Sequence, residues 1–326
     1  MASSSQNKRA SSTSDRVRTI LGQYGIGLVL IIMMVVIAIM EPRFMTPGNI
    51  INVATQISIN GLLCYGLCLA ITTGGIDLTV GAQLALTSCI IGQTMTNLGW
   101  PAFLSIVAGV GVATVFGFLD GVMIAKFNMF PFVVTLSMQL VIRGLSQVIT
   151  GGQAVMLTND WFKGIYSNKL VGIPMPIIIF LVVTVLMYLM LHWTKFGRYI
   201  FAVGGNVNAA IASGVSRFWV IVGVYTISGL LAGLASMIYT SKTGSAQSNI
   251  GVGYETDAIA AAVLGGTSFA GGIATIPGCV LGIFIIGLIY NGMNMIGVSS
   301  YYQSIVKGLI IIGAVMLDMV MNRNKH

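Results

Sequence analysis

Apolar residues in this chain come in long blocks and do not alternate. GIGLVLIIMMVVIAIM (25–40) and PMPIIIFLVVTVLMYLML (174–191) contain no charged residue. Blocks of this kind predict membrane helices, whereas a transmembrane barrel would show short alternating segments. Ten spans follow from the pattern: about 21–40, 50–73, 80–98, 101–125, 131–150, 174–192, 219–241, 258–270, 274–293 and 302–320. The eighth has about 13 residues, fewer than the ~20 that a lipid-facing helix needs. It reads as re-entrant or half-buried against protein. Residues 1–20 are polar and Ser-rich, and predict a disordered cytosolic tail. They are not a cleavable signal, because the apolar run after them is too long and ends in EPRF. The transmembrane domain then covers 21–320, and 321–326 form a second cytosolic tail.

Composition supports this class. The chain is 56% hydrophobic and only 7% charged, against about a quarter charged in soluble domains. The net charge of +8 is spread between loops and forms no basic stripe, which argues against a nucleic-acid partner. With both termini inside, Lys8, Arg9, Arg16, Arg18, Lys126, Lys195, Arg198, Arg217, Arg323 and Lys325 are cytosolic, and only Arg43, Lys163, Lys169 and Lys242 are outside. Ten against four obeys the positive-inside rule. Cys64, Cys68, Cys89 and Cys279 lie in apolar segments and read as packing residues. His192 and His326 form no cluster. There is no metal set, no nucleophile–base motif and no GxxxxGK[ST] phosphate loop, so neither catalysis nor ATP binding of that type is expected of this chain.

Two polar loops remain. Residues 151–173 form an outer loop. Residues 193–218, WTKFGRYIFAVGGNVNAAIASGVSRF, form an inner one with helical stretches interrupted at Gly204–Gly205 and Gly214. So long a loop, in a chain with little else outside the membrane, suggests a docking surface; the plain alternative is a connector. Within the apolar blocks, TTGGIDLTVG (72–81) is echoed by GGTSFAGG (265–272). Asp120–Gly121 is echoed by Asn291–Gly292, and Arg143–Gly144 by Lys307–Gly308, in the same order. Transporters are often built from repeats whose broken helices meet inside the membrane. Gly74, Gly75, Gly81, Gly265 and Gly266 are therefore hinge candidates. Asp77, Asp120, Arg143 and Lys307 are ionisable groups at membrane depth. Such groups face protein or water, as part of a pathway or as paired and capping charges. Asp77 is expected to cap the helix restarting near residue 79, and Lys307 has snorkelling as its plain alternative. Gln56, Asn60, Gln83, Thr135, Gln139, Asn291, Asn294 and Gln303 suit either a path for a hydroxyl-rich solute or helix–helix hydrogen bonds.

Taken together, several stretches resemble the permease subunits of ribose-type sugar ABC importers. They are PRFMTPGNIINV (42–53), TTGGIDLTVG (72–81), TLSMQLVIRGL (135–145), KFGRYIFAVGGNVNAAIASGVS (195–216), AAVLGGTSFAGGIATIPG (261–278) and YNGMNMIGVSSYYQSIVKG (290–308). The resemblance implies an all-α, type II importer-like permease core in a bacterial inner membrane. It implies a second permease copy, a cytosolic ABC ATPase that carries ATP and Mg, and a periplasmic sugar-binding protein. It maps the family's coupling loop onto Gly197, Arg198, Gly204, Gly205, Asn206, Ala209, Ala210, Ser213 and Gly214, and its hinge signature onto Gly74, Gly75, Asp77 and Gly81. Asp120, where the family more often has Asn, and Cys279, in a position more often small and hydroxylic, are departures. The alternatives are a stand-alone proton-coupled transporter using Asp77 or Asp120, a permease for a nucleoside or furanone, and, more remotely, a membrane enzyme.

Overall fold

The computed structural model describes residues 30–322. The expected tail over 1–20 lies outside the described residues, as do the start of the first span and residues 323–326. The helices are α1 (Leu30–Met40), α2 (Pro47–Thr72), α3 (Val80–Gly92), α4 (Ala102–Phe127), α5 (Pro131–Thr150), α6 (Asp160–Ser167), α7 (Met175–Trp193), α8 (Lys195–Gly205), α9 (Val207–Ala212), α10 (Arg217–Thr243), α11 (Tyr254–Leu264), α12 (Ile276–Met295) and α13 (Ser300–Asn322). Only two-residue strands accompany them, paired Val155–Met156 with Ser245–Ala246 and Lys169–Leu170 with Ile173–Pro174. The all-α expectation therefore holds.

Helix boundaries follow local chemistry. Proline opens α2 and α5, where its missing N–H is not needed. Gly151 and Gly244 close α5 and α10 in the left-handed conformation. Among the described residues, six helices are long and apolar enough to cross a membrane: α2, α4, α5, α7, α10 and α12.

Two of the ten expected spans come out shorter than a bilayer core. The third is helical over Val80–Gly92 and continues as a π-turn over Gln93–Asn97. The eighth begins four residues earlier than its pattern suggests and spans Tyr254–Leu264. At ~1.5 Å per residue, these helices are about 20 Å and 16 Å long, against ~30 Å of hydrocarbon. They are viable because they are sheathed by protein: 12 residues of α3 are buried, including all from Val80 to Cys89.

α2 lies at the centre, with 83% of its most apolar window buried, and α10 packs beside it. α4, α5 and α7 bury less than a third of theirs and present Phe103, Leu140, Val148, Val185 and Leu186 outward. These apolar faces have the character of a lipid-facing perimeter. Close approach of α4 to α10 depends on small residues. A Cβ at Gly121 would fall 2.7 Å from Val222 Cα, and one at Gly233 2.9 Å from Val110 Cα.

Candidate functional site

Three places in this fold hold the residues singled out by the sequence. The first is the break after α2. Gly74 takes φ +80°, a conformation that favours glycine, and residues 75–79, outside regular structure, lead to α3. Asp77 is fully buried. Its Oδ1 accepts the Thr79 N–H at 2.9 Å and the Thr79 hydroxyl at 2.5 Å, while Oδ2 accepts the Ser228 hydroxyl of α10 at 2.6 Å. Gln83 Nε2 donates to Thr79 Oγ1 at 2.9 Å. The N-cap of α3 is Thr79, two residues beyond Asp77. Asp77 therefore accepts a backbone N–H at the start of α3, as expected of a capping carboxylate, though the donor is the N-cap residue itself; it fixes this turn and pins it to α10. Asp120 of α4 is also fully buried beside this turn, and neither of its oxygens makes a hydrogen bond among the described residues. Gly81 packs on the Gly251 carbonyl and the Glu255 carboxylate, leaving no room for a side chain.

The second place is where both breaks meet the inner loop. After α11, Gly266, Gly271 and Gly272 all have positive φ, and Gly265 lies against the backbone of Gly278. The Gly272 N–H donates to the Thr72 carbonyl at 2.8 Å, joining the second break to the end of α2. Gly204 of α8 sits on this bond. A Cβ there would fall 2.7 Å from Gly272 N and closer still to the Thr72 oxygen. A cavity of about 280 Å³ beside the junction is lined by Gly74, Gly75, Gly204, Gly205 and Asn206, among others. The predicted loop residues divide. Arg198, Gly205, Asn206, Ala209, Ser213 and Gly214 are exposed, while Gly197 and Ala210 are buried and hold the loop in shape. Thr194 caps α8 through Gly197 N–H, and Asn206 caps α9 through Ala209 N–H.

The third place is a cavity of about 580 Å³ toward the opposite ends of α2 and α10. Gln56, Asn60, Tyr239, Lys242, Tyr254, Asp257, Tyr290, Asn294, Gln303 and Lys307 line it. Lys307 Nζ lies 2.6 Å from Asp257 Oδ1 and donates to the Gly253 carbonyl at 3.1 Å. The Tyr290 hydroxyl donates to the same Oδ1 at 2.8 Å. Lys307 therefore faces inward and does not snorkel. On the other side of the same segment, Arg143 Nη1 donates to the Ser248 and Ile250 carbonyls at 2.9 and 2.6 Å.

Of the expected pathway residues, the cavity brings together Gln56, Asn60, Asn294, Gln303 and Lys307. Asp77 and Gln83 belong to the buried break, and Arg143 braces the segment from behind. Asn291 is buried in a reciprocal amide pair with Asn49, at 2.9 and 3.0 Å. Sequence reasoning missed Asp257 and Tyr290. The YETD run was visible, but starting the span at 258 placed both acids outside it.

The family model described as branched-chain amino acid transport system / permease component matches residues 49–315. The ribose import permease of Bacillus subtilis is 42% identical over 92% of this chain and 93% of its own. The D-allose transport system permease of Escherichia coli is 36% identical over 92% and 93%, and the galactose/methyl galactoside import permease of the same species 33% over 92% and 95%. No solved structure matches the chain.

Proposed function

From a chain that belongs to the branched-chain amino acid transport system / permease component family, and so is a multi-pass membrane transport subunit, we propose the permease of an ATP-driven ABC importer for a monosaccharide. The family description names amino acids, whereas the similar curated proteins import ribose, allose and galactose. The four amides in the cavity lining, of Gln56, Asn60, Asn294 and Gln303, suit the hydroxyl groups of a sugar. In this reading ATP and Mg sit on a separate ATPase, which docks on the exposed face of α8 and α9. A periplasmic binding protein delivers the sugar to the other side. A second permease copy completes the path in the bacterial inner membrane, and both termini are cytoplasmic.

The observation that carries the proposal is the Gly204 junction. The loop expected to meet the ATPase touches the backbone of both helix breaks at Gly204. Displacing α8 displaces the ends of α2 and α11 with it. Rigid helices joined at glycine breaks give the two packings that alternating access requires. Nothing reacts in this chain; its residues bind, align and move.

The test is uptake of labelled ribose, allose and galactose into proteoliposomes holding the permease, its ATPase and its binding protein. Import of at least one sugar that stops without the ATPase is expected. Uptake driven by a proton gradient with no ATPase would replace this proposal with the secondary-transporter reading.

A further inference from the structure

We propose that Asp257, Lys307 and Tyr290 form a transit site within the permease for adjacent hydroxyl groups of a neutral sugar. This inference rests on the reading of the chain as a sugar permease. Asp257 Oδ1 takes both protein donors, Lys307 Nζ at 2.6 Å and Tyr290 Oη at 2.8 Å. Among the described residues Oδ2 makes no hydrogen bond, and the residue lines the cavity. Lys307 has three N–H donors. Among the described residues two are engaged, by Asp257 and by the Gly253 carbonyl, and one is left, with the Tyr290 ring centre 5.7 Å from Nζ. A free carboxylate oxygen and a free ammonium N–H thus lie side by side on one wall.

Two adjacent hydroxyls complement that arrangement. One donates to Oδ2 and the oxygen of the next accepts from Nζ, both charge-assisted hydrogen bonds. Because the Asp257 and Lys307 charges neutralise each other, this wall suits an uncharged polyol, and Lys242 elsewhere in the lining disfavours a cation. Tyr239 and Tyr254 meet edge to face at 6.0 Å on the same cavity wall and offer flat apolar surfaces to a sugar's C–H face. The amides of Asn60 and Gln303 serve its remaining hydroxyls.

The experiment uses the complete importer in proteoliposomes, with the binding protein saturated by labelled ribose, allose or galactose, or by a deoxy analogue of each. If wild type imports none of the sugars, the permease reading fails and this inference falls with it. If wild type imports one, Asp257→Asn and Lys307→Gln are expected to lower its import by about tenfold, the size of losing one hydrogen bond to a charged group. Tyr290→Phe, which keeps the ring and is the mildest change, is expected to lower it by about threefold. A tether without a recognition role would lower import of sugar and deoxy analogue alike. Recognition predicts that the wild-type preference for the full sugar over its deoxy analogue collapses in Lys307→Gln and shrinks in Tyr290→Phe. With the binding protein unchanged and saturated, that ratio reports the permease. Wild-type import by the three variants, or an unchanged preference ratio, would overturn the inference while leaving the permease reading intact.

Discussion

An alanine at Gly204 tests the inner junction most directly. Its Cβ would sit 2.7 Å from Gly272 N and closer to the Thr72 oxygen. Both neighbours are backbone, so neither can turn aside by changing rotamer. The clash falls on the Gly272 N–H to Thr72 C=O hydrogen bond, 2.8 Å long. Either α8 backs away or that bond opens. Overpacking costs about 1–3 kcal/mol, and leaving a buried donor and acceptor unmet costs about as much. The two do not add, because retreat of α8 relieves the clash and spares the bond. About 2 kcal/mol is therefore a fair expectation. Borne by only one of two transport conformations, it shifts their balance by about thirtyfold. Sugar import per ATP hydrolysed should fall by about that factor, with the chain still inserted and folded. Gly205→Ala is the matched control, since a Cβ there meets nothing within 4 Å. Both glycines fit the same sequence pattern, so sequence predicts equal effects, while the structure predicts a large effect at Gly204 and little at Gly205. Similar import by the two variants would refute the junction.

Three further outcomes are expected. Arg198→Glu reverses an exposed charge on the proposed docking face; ATPase stimulation by the loaded binding protein should drop, while the unfolding temperature in detergent stays within a degree or two of wild type, as for other surface changes. Asp77→Ala removes the acceptor of three buried hydrogen bonds and should destabilise the chain by about 3 kcal/mol, read as a lowered unfolding midpoint; a midpoint like wild type would show that the pin to α10 is dispensable. Asn291→Ala removes both amide bonds to Asn49, which keeps its bond to the Phe44 carbonyl, and should cost about 1–2 kcal/mol of stability without altering preference among sugars, and a changed preference would return Asn291 to the pathway.

Much of the fold was legible because its signals are local. Long apolar blocks, prolines at helix starts and glycines at helix ends each act within one turn. Both breaks were visible as matched glycine runs, and the short eighth span as a deficit of length. The contacts between them were not. That Gly204, Thr72 and Gly272 meet depends on how α2, α8 and α11 pack, and glycine leaves no side-chain pattern that names its partner. Asp257 shows the other limit. A span start misplaced by four residues moved a buried acid out of the membrane, because YETDA is polar at the start of a helix that protein covers. Hydropathy treats such a helix as if it faced lipid. Lys307 and Arg143 could be located in sequence, but their partners are largely backbone carbonyls, which every residue carries.

The two ends of the molecule are held by different kinds of contact. At the cavity end, residues 248–253 are gripped from both sides, by Arg143 of α5 and by Lys307 of α13, through charge-assisted bonds to carbonyls. Such bonds are short and directional and resist sliding. At the α8 end, Gly204 packs on backbone of both breaks, on the Thr72 carbonyl and the Gly272 N–H, which are hydrogen-bonded to each other. Backbone packed this closely leaves no gap to take up, so movement of α8 is passed on to both breaks. The pairing of Arg143–Gly144 with Lys307–Gly308 in the sequence gains a physical meaning here: the matched cations brace one segment from opposite faces. A permease built this way would pivot about its cavity end. Motion imposed at α8 would be largest at the breaks and smallest where the sugar first enters, so the gate that opens to the cytoplasm should be the pair of glycine breaks.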